Sequence, residues 1–78
     1  MVDLKALKAA MDDSGMTVTA IAQKSNILRE TLYNRLNGKG EFTASEIVAL
    51  SGTLQLSRVT RDEIFFSQKV ELNDTLKE

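Results

Sequence analysis

The sequence lacks several residue types on which common protein chemistries depend. None of its 78 residues is a cysteine, which excludes disulfides and thiolate metal sites. Histidine is absent too, which removes the commonest general base and the commonest zinc ligand. The hydroxyls of Ser14, Ser25 and Ser51 therefore have no histidine to activate them. We expect a protein that is not an enzyme and that uses no cofactor or metal.

Other kinds of site lack their sequence patterns. Gly38-Lys39-Gly40 does not have the glycine spacing of a phosphate-binding P-loop. Asp12 and Asp13 are adjacent, so on a helix their carboxylates diverge and make a poor metal pair. The start of the chain, residues 1–5, has no signal-peptide run, and no stretch approaches the ~20 apolar residues of a membrane span. We expect a cytoplasmic protein with no membrane partner and no small-molecule substrate.

Proline is also missing, and the apolar residues recur three and four positions apart, which is typical of an all-α protein. A chain of 78 residues predicts one domain, which we place at residues 1–66. A domain of this size buries only about 60% of its unfolded surface, so its stability margin is small. In residues 67–78 apolar Val70 and Leu72 alternate with polar residues, which favours a short strand or an extended arm.

Local signals predict where five helices begin and end. Gly15 and Asn26 suit the left-handed turn that follows a helix, and Thr43 with Glu46 forms a capping-box pattern. Gly52 lies inside the fourth helix, where glycine costs about 1 kcal/mol relative to alanine and close helix packing is the usual reason. The expected ranges are about 3–13, 17–25, 29–37, from 43 onward, and 58–65.

The charge distribution is uneven although the net charge is only −1. Residues 16–40 carry four basic side chains against one acidic, a net +3. The remaining segments carry six basic against ten acidic, a net −4. A basic centre is the electrostatic pattern of a nucleic-acid-binding surface. The acidic flanks are equally compatible with an ordinary solvated surface.

The second and third predicted helices are joined by three or four residues around Asn26, which is the spacing of a helix-turn-helix. Ala22 is small where the two helices must cross closely, and Ile27 and Leu32 are expected to anchor the third helix in the core. Side chains on the opposite face of that helix would then be free to enter a DNA major groove.

These positions occur in a fixed order and spacing: Met16-Thr17-x-x-x-Ile21-Ala22-x-x-x-Asn26-Ile27-x-x-x-Thr31-Leu32-x-x-x-Leu36-Asn37-Gly38. The set resembles the helix-turn-helix of the lambda repressor and Cro family. The segments 40–47 and 63–66 are further similar to small prophage repressor-like regulators. The resemblance covers residues 3–66 and implies a five-helix lambda-repressor-like domain that binds double-stranded DNA.

The resemblance implies that Arg29 and Glu30, and one turn later Tyr33 and Asn34, read bases. Arg29 can bond guanine, Asn34 adenine and Glu30 the amino group of cytosine. Glu30 has the alternatives of an ion pair with Arg29 or Lys24 and of a favourable place near the helix dipole. Tyr33 is expected to contact DNA, and the alternative is that it packs on the protein surface over Lys39 or Met16. Phosphate contacts are expected from residues flanking the third helix: Thr17, Thr19, Asn37, Lys39 and Thr43.

Two residues depart from the family pattern. Leu28 stands where a serine or similar helix cap is usual, and Arg35 stands where an apolar residue is common. Arg35 is expected to form an ion pair with Glu41 or Glu46, with phosphate contact as the less favoured role.

The expected function is that of a prophage-type repressor that binds a palindromic operator as a homodimer. Phe66, Val70 and Leu72 are the expected dimer surface, whereas Phe65 is expected in the core. The alternative is an antitoxin or a protein-interaction adaptor of the same fold, in which residues 67–78 wrap a partner protein.

Overall fold

The computed structural model describes residues 2–66, which form five helices and no strand. This confirms the predicted all-α class, and each helix begins within one residue of its expected start. The predicted arm with Val70 and Leu72 lies outside the described residues. No helix in residues 2–66 combines the length and apolar character needed to cross a membrane. In chain order the helices are α1 Leu4–Asp13, α2 Val18–Lys24, α3 Arg29–Leu36, α4 Ala44–Thr53 and α5 Arg58–Phe65.

Four of the five helices begin at a residue whose side chain accepts a hydrogen bond from a backbone N–H three positions later, and such a cap stabilises a helix by about 0.5–2 kcal/mol. The predicted capping box at α4 is confirmed, since Glu46 accepts from the Thr43 N–H at 3.0 Å while its own N–H donates to Thr43 Oγ1 at 3.2 Å. The exception is α3, where Leu28 occupies the cap position and makes no side-chain hydrogen bond. The four capping residues are Asp3, Thr17, Thr43 and Ser57.

Left-handed turns end α2 and α4 in the same way. After α2, Asn26 has a φ of +57°, as predicted, and the Ile27 N–H donates to the Ala22 carbonyl at 2.9 Å. This six-residue closure satisfies a helix-end carbonyl that would otherwise lack a partner. After α4 the left-handed residue is Gln55, with a φ of +56°. Nothing in the sequence signals that second turn, because glutamine rarely adopts this conformation.

The core is a set of apolar side chains contributed by all five helices. Phe65 is 3% exposed and meets the Phe42 ring edge to face, with ring centroids 5.5 Å apart. The Asp3 N–H donates to the Ile64 carbonyl at 2.7 Å, which ties the start of α1 to α5. The prediction that Phe65 belongs to the core is confirmed. The buried apolar residues are Leu7, Met11, Ile21, Ala22, Leu32, Leu36, Ile47, Leu50, Ile64 and Phe65.

Close helix packing, the usual reason for a glycine inside a helix, does not account for Gly52. This glycine is exposed, and an added Cβ would meet no atom within 4 Å. No neighbouring helix therefore requires its small size, and packing in the described residues does not offset its low helix propensity.

Candidate nucleic-acid interface

The orientation of α3 is fixed by residues on its inner face and at its junction with α2. Leu32 is fully buried and Leu36 is 6% exposed, so one side of α3 is held in the core. Four residues, 25–28, separate α2 from α3. Within α2, Ala22 is 2% exposed, consistent with its predicted role as a small residue where the two helices meet. The opposite side of α3 consequently faces solvent.

A polar junction that the sequence analysis missed also holds α2 in place. Ser25 is 4% exposed, and its hydroxyl donates to Thr53 Oγ1 at 2.9 Å. The two residues lie at the ends of α2 and α4 and are 28 positions apart in the chain. Because α3 follows α2 through the short turn that begins at Ser25, this bond helps to set the position of α3.

All four predicted base-reading residues lie on the solvent side of α3. Arg29, Glu30, Tyr33 and Asn34 are exposed, and the first two precede the last two by one turn. Residues four apart on a helix are neighbours on its surface. The structure therefore brings the four hydrogen-bonding side chains onto one face of one helix.

Arg29 and Tyr33 form a pair on this face. The guanidinium carbon of Arg29 lies 5.8 Å from the centroid of the Tyr33 ring, within the range of a cation–π interaction. At an exposed site such a contact contributes about 0.5–1 kcal/mol. Tyr33 is 44% exposed, so part of it stays accessible to a binding partner. The pairing restricts the long Arg29 side chain to the part of the face that also carries Tyr33.

Glu30 takes part in no ion pair within residues 2–66, so the bridge to Arg29 or Lys24 that the sequence allowed is not formed there. It lies in the first turn of α3, where the helix dipole favours a carboxylate. Glu30 is exposed to solvent and follows Arg29 directly in the chain.

Arg35 has a structural partner. Its Nε lies 3.4 Å from Glu46 Oε1, and the two side chains are 22% and 16% exposed. The same carboxylate oxygen caps the start of α4, so the ion pair joins the end of α3 to α4. Gly40 has a φ of +90°, and a Cβ there would lie 2.7 Å from Arg35 Nη1. The predicted ion pair is thus present with Glu46, and Arg35 has a structural role.

The five residues predicted to contact phosphate are all exposed, and they lie in three segments. Two of them cap helices, because their hydroxyls accept from the N–H groups of Ala20 and Glu46. The segment after α3 is held to that helix, since the backbone N–H of its lysine donates to the Asn34 carbonyl at 2.8 Å. The segments are the start of α2 with Thr17 and Thr19, the end of α3 with Asn37 and Lys39, and the start of α4 with Thr43.

The basic centre predicted from sequence is smaller in the folded protein. Of its four cations, Arg35 is paired with Glu46, which leaves Lys24, Arg29 and Lys39 exposed. These three lie at the end of α2, the start of α3 and the segment after α3. The positive charge that remains therefore lies on the exposed face of α3, at Arg29, and on either side of α3 along the chain, at Lys24 and Lys39.

Comparison of the chain with protein-family models, with curated proteins and with solved structures gave no match.

Proposed function

We propose that this protein is a sequence-specific DNA-binding regulator with a lambda-repressor-like fold, in which α3 enters the major groove. The observation that carries the proposal is the exposed face of α3. Four side chains able to recognise bases lie together on a helix whose other side is buried in the core through Leu32 and Leu36. An α-helix fits the B-DNA major groove, and its leading residues meet the base edges.

Each residue of this face has a chemical match in the groove. The Arg29 guanidinium donates two hydrogen bonds to O6 and N7 of guanine, and the Asn34 amide pairs with N6 and N7 of adenine. Glu30, which has no ion-pair partner in residues 2–66, accepts from the N4 amino group of cytosine. Tyr33 holds Arg29 through its ring and contacts a sugar or a thymine methyl group with its exposed edge.

Phosphate contacts position the helix in the groove without reading sequence. The exposed hydroxyl, amide and ammonium groups before and after α3 are suited to this role because they flank the reading face along the chain. Few of them are charged, which agrees with a net charge of −1. The residues proposed for this role are Thr17, Thr19, Asn37, Lys39 and Thr43.

A prophage-type repressor acting in the cytoplasm would bind a palindromic operator as a homodimer, because one α3 reads only a few base pairs. Two copies place their α3 helices about 34 Å apart on successive turns of the groove. Phe66 supports a second-copy contact, since it is 52% exposed and borders an apolar groove of about 450 Å³ with Phe42 and Val48. Val70 and Leu72, proposed for the same interface, lie outside the described residues.

Selection of bound sequences from random duplex DNA tests the proposal. We expect a palindromic motif to be enriched, and its affinity should fall steeply as the salt concentration rises, because bound phosphates release counterions. A scrambled duplex of the same length serves as the control and should bind more weakly. Failure to enrich a motif, with no salt-dependent binding, would contradict the proposal and favour a protein-interaction role.

A further inference from the structure

Leu28 is an apolar residue in a position where the fold does not require one. Its side chain is 77% exposed, more than any other large apolar residue within residues 2–66. Its backbone, with a φ of −60° and a ψ of 136°, is ordinary extended geometry that most residues adopt. Neither burial in this fold nor backbone conformation therefore explains the leucine.

The position also forgoes a helix cap. The other four helices each begin with a side chain that accepts a backbone hydrogen bond, whereas the side chain of Leu28 has no oxygen that could accept one. Serine, threonine, aspartate or asparagine would stabilise α3 there. Other apolar residues such as Val48 and Val59 are also exposed, which is common on protein surfaces. Leu28 differs from them because it immediately precedes Arg29, the first residue of the reading face.

We propose that Leu28 determines specificity by contacting the C5 methyl group of a thymine at the edge of each half-site. This inference rests on the proposed function. Thymine carries the only apolar group that unmodified bases present in the major groove, and apolar side chains recognise it by direct contact. Residues at the leading end of a recognition helix are the ones that reach base edges. Leu28 thus adds an apolar reader to the hydrogen-bonding set that begins at Arg29.

Replacement of single thymines by deoxyuridine in the selected duplex tests this contact, because it removes the methyl group and leaves base pairing intact. At one position in each half-site, the affinity of the unaltered protein should fall about fourfold, the effect of losing one buried methyl group. Leu28→Ala and Leu28→Ser should bind the thymine and deoxyuridine duplexes equally at that position. When deoxyuridine replaces any other thymine, the affinity of both variants should change as much as that of the unaltered protein.

Thermal unfolding distinguishes a role of Leu28 in DNA recognition from a role in the stability of the fold. Leu28→Ser supplies the missing cap, so its unfolding midpoint should rise while its discrimination at that thymine is lost. A lower midpoint would show that Leu28 supports the fold and would overturn the inference. A second such result is an enriched motif in which the unaltered protein and Leu28→Ala respond equally to the loss of every thymine methyl group. That result would also overturn the inference, while leaving the proposed function intact. Failure to enrich any motif would overturn both.

Discussion

Replacing Leu32 with alanine is expected to remove a large part of the protein's free energy of unfolding. Leu32 is fully buried where α3 meets the core, so the change leaves a cavity that the fixed neighbouring helices cannot close. Truncations of this kind cost about 2–5 kcal/mol. Proteins have only roughly 0.05–0.15 kcal/mol of stability per residue, which for this chain is about 4–12 kcal/mol. Urea unfolding monitored by helical circular dichroism measures the loss.

Leu28→Ala provides a matched control, since it makes the same chemical change four residues earlier on a side chain that is 77% exposed. Exposed substitutions usually change the free energy of unfolding by less than about 0.5 kcal/mol. We expect a large separation between the two unfolding curves. Equal stability of the two variants would contradict the burial of one face of α3.

Replacing Arg29 with alanine should remove the preference for one base pair in each half-site. The guanidinium is exposed on α3 and is proposed to donate two hydrogen bonds to one guanine. Loss of such a contact costs about 1–3 kcal/mol, or about 5- to 150-fold in discrimination at that position. Competition binding with duplexes that differ by single base pairs measures the change. The fold should be little affected, because Arg29 is exposed and its contact with Tyr33 contributes only about 0.5–1 kcal/mol.

Two further variants show whether the effect is specific to the guanidinium group of Arg29. Arg58→Ala removes an exposed arginine from the first turn of α5 and should leave base preference unchanged. Arg29→Lys keeps the charge but loses the planar fork, so it should keep the salt dependence and lose most of the preference for guanine. If Arg29→Ala retains the base preferences of the unaltered protein, Arg29 does not belong to the reading face.

Much of the fold could be predicted because its determinants are local in sequence. Thr43 and Glu46 signal a helix start within four residues, and Asn26 signals the left-handed turn between α2 and α3. The solvent side of α3 was also predictable, since Leu32 and Leu36 fix which side is buried.

The features that were missed depend on contacts distant in sequence or on unfavourable local choices. The hydrogen bond from Ser25 to Thr53 joins two helices whose approach no local pattern specifies. Gln55 adopts a left-handed conformation that its residue type disfavours, in a turn closed by the Leu56 N–H, which donates to the Ser51 carbonyl at 2.9 Å. Gly52 lies in open space rather than in a close helix contact, and the two situations look alike in sequence.

The central claim is that the exposed face of α3 binds DNA, and an amide-resolved NMR titration with the selected duplex tests it most directly. We expect the largest chemical-shift changes at residues 28–34 and at Lys39. Smaller changes are expected at Thr17 and Thr43. Changes centred on Val48 and Phe66, with the α3 signals unmoved, would contradict DNA binding by the exposed face of α3.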